Sequence, residues 1–205
     1  RVRALTNAAG RERHGEIGRG IEEGLGKVVR QMSHFDPDSD LSRFNRAPAG
    51  AWVRLPEPFF RVLRCALEIA AASQGWFAPT LGEPVSLWGF GPGGQERDPA
   101  PWEALEALKR CGWERLQIDA ARRAARQPGG LQLNLSAIAK GFAVDEVSAW
   151  LRSCGIESAL VEIGGEFSGW GVKPDGSPWW VELENPPYGA GDVPQTIVAL
   201  CGLSV

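Results

Sequence analysis

Lys140 and Gly141 stand in the stretch Leu131 to Asp145, LQLNLSAIAKGFAVD, where an ammonium and a flexible residue enter a helix-forming run. Leu131, Leu133 and Leu135 alternate with Gln132 and Asn134, which is strand spacing. Ser136 breaks the alternation, and Ala139, Ala143, Val147, Trp150 or Leu151, and Cys154 then recur at helical spacing. The pattern predicts a strand, a tight loop and a helix whose first turn holds Lys140. A helix N-terminus presents free N–H groups and a positive dipole end, so with an ammonium beside it the arrangement suits a phosphate. Spacing alone favours the plainer alternative, a strand-to-helix crossover with a surface lysine.

Two other stretches carry candidate chemistry. GWFAPTLGEPVSLWGFGPGG, from Gly75 to Gly94, is long, aromatic and rich in Gly and Pro, without helical or strand period over most of its length. Long ordered loops of this kind are often functional. Equally, it reads as a surface loop pinned by Trp76, Phe77, Trp88 and Phe90. Gly164 and Gly165 follow the apolar run Ala159 to Ile163, where paired glycines allow backbone to approach a ligand or simply close a hairpin.

The elements that must position these residues follow from period. Arg1 to Thr6 alternates as a strand. From Glu16 to Met32, Ile17, Ile21, Leu25, Val28 and Met32 form one stripe of an amphipathic helix. Asp40 is placed to cap a short turn carrying Leu41 and Phe44. Trp52 to Leu55 is a strand, and Pro56 and Pro58 start a helix that buries Phe59, Leu63, Ala66, Leu67 and Ala70 and ends at Gly75. Pro101 to Cys111 is a helix with Trp102, Leu105 and Leu108 inward. Strands are predicted at Arg115 to Asp119, Ala124 to Gln127, Ala159 to Ile163, Phe167 to Val172, Trp179 to Glu184 and Thr196 to Leu200. The sum is an α+β domain.

Composition narrows the classes. The 205 residues are 43% hydrophobic and 23% charged, an ordinary globular mixture. A net charge of −3 lacks the basic excess of a nucleic-acid binder. No apolar run approaches the roughly 20 residues needed to cross a bilayer, and no export signal is visible. Cys65, Cys111, Cys154 and Cys201 are widely spaced and read as small buried hydrophobes rather than zinc ligands or a redox pair. With only His14 and His34, neither a His/Cys metal site nor a histidine triad is expected. Nine Trp against one Tyr is a high aromatic load, which packing explains in most proteins.

Four segments taken in order resemble the ApbE family of FAD:protein FMN transferases: DSDLSRFN (Asp38 to Asn45), SQGWFAPTLGEPVSLWGFG (Ser73 to Gly91), LNLSAIAKGFAVD (Leu133 to Asp145) and VEIGGEFSGWG (Val161 to Gly171). The resemblance implies one ApbE/T-fold-like domain over residues 1–205, mostly antiparallel sheet flanked by helices. It also implies a domain trimmed at both ends and incomplete at its C-terminus, since the family's later His, Asp and Thr motifs are absent. The implied chemistry is Mg²⁺-dependent cleavage of FAD, with FMN placed on a Thr or Ser hydroxyl of an acceptor protein and AMP released. Such transfer relies mainly on positioning and charge neutralisation.

Carried over by position, Phe35 would lie against the flavin, and Trp76, Phe77 and Ala78 would form the next FAD contact. Asn134 would face the cofactor, the Ala137 carbonyl would bind Mg²⁺, and Lys140 would lie near the pyrophosphate. Gly164 and Gly165 would add backbone contacts. The acceptor implied is a membrane redox-complex subunit or similar protein. Members commonly act outside the cytoplasmic membrane, in the periplasm or at the inner membrane.

Two positions depart from the family's pattern: Ala78 and Asn134 stand where Asp is usual. A lost hydrogen-bonding carboxylate would cost about 1–3 kcal/mol of cofactor affinity. The alternative readings are a pyrophosphatase that cleaves FAD to FMN and AMP, and a flavin-binding protein that does not transfer.

Overall fold

The computed structural model describes residues 1–5, 13–92, 98–185 and 194–205. Thr6 of the predicted first strand, and Gly93 and Gly94 of the aromatic loop, lie outside the described residues. The chain divides into two compact units, residues 1–25 with 140–205, and residues 26–139. The division falls within α1 (His14–Met32) after Leu25 and within α6 (Ser136–Ser153) after Ala139.

In the first unit, β1 (Val2–Leu5), β5 (Ser158–Ile163), β6 (Glu166–Trp170) and β9 (Leu203–Ser204) form a sheet in the order β1-β5-β6-β9, with every neighbour antiparallel. β7 (Trp179–Glu182) and β8 (Ile197–Leu200) make a separate antiparallel pair. Alternation places Ala159 and Val161 of β5 on a fully buried face. They pack with Val144, Val147 and Leu151 of α6, Ile17 of α1, Ile156 and Trp170. Gly164 and Gly165 are the two central residues of the β5–β6 hairpin, at φ 58° and 91°, in the left-handed region that such a turn requires. Gly20 has a different reason. The indole of Trp150 lies across α1 there, donating to the Ile17 carbonyl at 3.1 Å, and fills the space of any Cβ.

The second unit carries the antiparallel sheet β2 (Trp52–Arg54), β4 (Ala124–Arg126) and β3 (Gln117–Asp119), in the order β2-β4-β3. Its helices are α2 (Asp40–Asn45), α3 (Glu57–Ala72), α4 (Gly82–Leu87) and α5 (Pro101–Arg110). Leu41, Phe44, Phe59, Leu63, Ala66 and Ala125 are fully buried. α3 begins after Pro56, as expected, and Gly75 at φ 86° returns its N–H to the Ala70 carbonyl at 2.9 Å, closing the helix end.

Several local expectations are corrected. Ser39, not Asp40, caps α2, because its hydroxyl accepts the Ser42 N–H at 3.0 Å while Asp40 is already helical and pairs with Arg43. The aromatic loop contains a helix, α4, too short for its period to show. α5 turns Trp102, Leu105 and Leu108 outward, at 67, 61 and 52% exposure, and buries Ala107 instead. Arg110 at the end of α5 clamps Glu83 of α4 through two guanidinium nitrogens, Nε at 2.7 Å. No cysteine is fully buried: Cys65 and Cys201 are exposed, Cys111 and Cys154 half-buried, and all are free. Cys65 shares the outer face of α3 with exposed Arg61, Arg64 and Glu68. Only Trp170 and Trp179 of the tryptophans are core residues.

Leu131 to Leu135 is extended but joins no sheet. The predicted alternation survives in burial, with Leu131, Leu133 and Leu135 at 0 to 1% exposure and Gln132 and Asn134 half-buried. The ladder is replaced by side-chain amides. Gln127, wholly buried, donates from Nε2 to the carbonyls of Phe44 and Leu131 and accepts at Oε1 from the N–H groups of Gly129 and Leu131, all at 3.1 Å. Asn45 pairs with Leu133 in the same manner, accepting its N–H at 2.8 Å and donating to its carbonyl at 3.0 Å. Every buried backbone group needs a partner, and a carboxamide offers the same donor and acceptor as a neighbouring strand.

Candidate functional site

The extended segment delivers Asn134 to the start of α6. Asn134 Oδ1 accepts the Ser136 N–H at 2.8 Å, capping a helix-end amide that would otherwise be unpaired. Its own N–H donates to the Pro79 carbonyl at 2.9 Å, and the Gly82 N–H donates to the Gln132 carbonyl at 3.0 Å. These two bonds tie the aromatic loop to the segment by its backbone. Three of the four predicted aromatic pins do not hold it: Trp76 is 94% exposed, Phe90 71% and Trp88 45%, while Phe77 is half-buried.

A hollow of about 230 Å³ opens in this unit, lined by His34, Arg46, Gln132 and Asn134 among others, with Gly82 at its wall. A Cβ on Gly82 would meet the Gln132 carbonyl at 2.8 Å, so only glycine lets α4 lie this close. Pockets that enclose a drug-sized ligand span roughly 300–1,000 Å³, so the hollow is smaller than these.

His34 is the residue that sequence reasoning set aside. Its Nδ1 lies 3.3 Å from Ser136 Oγ, and its ring sits 4.0 Å from that of Phe35, tilted by 39°. Nε2 is buried without a hydrogen bond of normal geometry. Burial pushes the imidazole below its ordinary range, and the nearby Phe90 backbone offsets part of that push. No sequence period links residues 34 and 136, which are 102 positions apart, so only the fold shows the pair.

This shift has a consequence for stability. A histidine whose folded value lies below its unfolded value of 6.5 leaves the unfolded chain holding more protons as pH falls. Stability is therefore intact above about pH 6.5 and declines as pH drops through the folded value. His34→Gln is expected to flatten this decline in thermal melts between about pH 8 and pH 5. Equal losses in both proteins would remove His34 as the cause.

The predicted site residues fall into separate groups. Phe35, 62% exposed, reaches the hollow's edge through His34, and Asn134 lines the hollow. Phe77 and Ala78 are half-buried in the loop, with the Phe77 N–H on Ser73 Oγ at 3.1 Å. Ala137 is exposed in the first turn of α6. Lys140 lies beyond that first turn, a correction to its expected place, because the helix starts at Ser136. It belongs to the first unit, where its ammonium donates to the Gly164 carbonyl and pairs with Glu166 Oε1, each at 3.0 Å.

Among the described residues no three of His, Cys, Asp and Glu gather as metal ligands. The Ala137 carbonyl is one oxygen, whereas Mg²⁺ takes about six. The described residues do not by themselves form a Mg²⁺ site. The hollow is lined by polar side chains, with buried His34 Nε2 and the exposed Phe35 ring beside it. Among the described residues no helix is long and apolar enough to cross a membrane.

The ApbE family model matches residues 3–205. The FAD:protein FMN transferase of Haemophilus influenzae is 34% identical over 81% of this chain and 49% of its own length. That of Vibrio cholerae is 37% identical over 83% and 50%. The chain thus spans about half the length of these curated relatives. The solved apo structure of the Pseudomonas stutzeri flavinyl transferase ApbE superposes with a TM-score of 0.85 at 36% identity, covering 99% of this chain and 62% of that one. The flavin transferase ApbE of Vibrio cholerae gives 0.87 at 30% identity, covering 99% and 65%. The mixture of helices and antiparallel sheets and the order of its motifs agree with these matches: the chain belongs to the ApbE family.

Proposed function

We propose that this chain acts as a flavin transferase that moves FMN from FAD to a Thr or Ser hydroxyl of an acceptor protein. The hydroxyl oxygen bonds to the FMN-side phosphorus, the bond to the AMP-side bridging oxygen breaks, and AMP leaves as the hydroxyl proton is released. The acceptor is a redox-complex subunit or similar protein. The observation that carries the reading is the exposed ring of Phe35 against His34, at the edge of a polar hollow that Asn134 also lines.

In this reading Phe35 and the loop Trp76–Phe77–Ala78 bind the flavin nucleotide, and Lys140 steadies its pyrophosphate. The usual Asp at position 134 is not required for the local cap, since Asn134 Oδ1 accepts the Ser136 N–H as a carboxylate would. Mg²⁺ dependence is part of the proposal. Bound Mg²⁺ would offset phosphate charge, and the Ala137 carbonyl would be one of the oxygens that hold it.

The test is a titration with FAD and with FMN, each with and without Mg²⁺, followed by flavin fluorescence. FAD binding that is tighter than FMN binding and strengthened by Mg²⁺ supports the reading, and equal or absent binding rejects it. Lys140→Ala is expected to weaken FAD binding about tenfold, the loss of roughly one charge-assisted contact. An unchanged Kd would remove Lys140 from the site.

A further inference from the structure

Ser136 and His34 make a pair that binding alone does not explain. Their side chains meet at 3.3 Å through Oγ and Nδ1, at the long end of a nucleophile–base contact, and such contacts commonly tighten only when substrate binds. Both partners are held. Ser136 is fixed at the start of α6 by the Asn134 cap on its N–H at 2.8 Å. His34 is held against Phe35 and has its second nitrogen buried. Burial keeps the imidazole neutral near pH 7, and so able to take a proton from a hydroxyl. Both residues that flank Ser136 in these contacts, His34 and Asn134, line the hollow.

We infer that Ser136 is an internal acceptor, a hydroxyl activated by His34 to which the protein transfers FMN from FAD. The step rests on the flavin-transferase reading and belongs to the same reaction class, since the acceptor group is again a serine hydroxyl. Ser136 Oγ forms the bond to the FMN-side phosphorus. The P–O bond to AMP breaks, and AMP leaves with the bridging oxygen and its electron pair. The Ser136 proton passes to His34 Nδ1 and from there to solvent. No oxidant or reductant is involved. FMN is left on Ser136 as a phosphodiester.

The sequence makes the product easy to locate. Trypsin cleaves after Arg126 and Lys140, and the peptide between, QPGGLQLNLSAIAK, contains Ser136 as its sole hydroxyl residue. The protein is incubated with FAD in Mg²⁺-containing buffer, denatured to remove bound flavin, and its tryptic peptides are searched by mass for one added FMN. The expected result is FMN on the Gln127–Lys140 peptide. The label is absent in Ser136→Ala, is retained in Ser136→Thr, and forms about a hundredfold more slowly in His34→Gln, as loss of a general base requires. FAD titrations on the same samples separate the two ideas. FAD that binds without labelling this peptide overturns the inference and leaves the parent reading intact. Labelling that persists in Ser136→Ala, or is unslowed in a folded His34→Gln protein, also overturns it. Absence of FAD binding overturns both.

Discussion

Gln127→Leu is expected to destabilise the second unit by about 3–5 kcal/mol, since each buried polar group left unpaired costs about 1–3 kcal/mol and partial relaxation recovers some of the sum. The side chain is wholly buried and serves four backbone groups: the carbonyls of Phe44 and Leu131 and the N–H groups of Gly129 and Leu131. Leucine fills a similar volume, so the loss isolates hydrogen bonding from cavity formation. Domains of this size are stable by only about 5–15 kcal/mol, so the variant sits near the limit of folding at growth temperature. Urea unfolding with matched slopes measures the difference. A loss below about 1 kcal/mol would mean that water or a shifted backbone replaces the amide.

Asn45→Asp is expected to act on both stability and ligand affinity. The carboxylate still accepts the Leu133 N–H, but its second oxygen now faces the Leu133 carbonyl at the 3.0 Å separation that the amide donor occupied. Two acceptors in that position repel, and the carbonyl loses its partner, a cost of about 2–3 kcal/mol at neutral pH. Protonation of the new carboxyl restores a donor, so the gap to the parent protein narrows as pH falls. The acid-sensitive penalty at His34 is common to both proteins and cancels in that difference. Because Leu133 precedes Asn134, displacement of the segment also moves the hollow's lining, and FAD affinity is expected to fall about tenfold or more, equivalent to roughly 1.4 kcal/mol of misplacement. A variant that loses stability but binds FAD unchanged would show that the amide supports the fold without setting the site.

These two residues illustrate what the sequence carried and where it stopped. The helices α1, α3 and α6 were legible because long apolar stripes at helical period survive any tertiary context. β5 was legible as a short apolar run ending at paired glycines, and of the two uses open to that pair the fold shows the hairpin turn. The motifs Asp38 to Asn45, Ser73 to Gly91, Leu133 to Asp145 and Val161 to Gly171 pointed to the family that the comparisons show. The orientation of α5 was not legible, since a stripe of Trp102, Leu105 and Leu108 and a stripe of small residues share the same period. Local periodicity does not say which stripe meets a neighbour.

By itself the sequence determined the long helices and most of the strands, the alternating burial of Leu131, Leu133 and Leu135, and the family. Those properties depend on residues near one another in the chain, or on short motifs in a fixed order. Only the tertiary structure decided that the extended segment is held by the amides of Gln127 and Asn45 instead of a strand. It alone brought His34 to within 3.3 Å of Ser136, and tied Lys140 to Glu166 and the Gly164 carbonyl. The physical reason is range: hydrogen bonds and proton-transfer contacts act over a few ångströms in space, and the residues that make them here are separated by up to 102 positions along the chain.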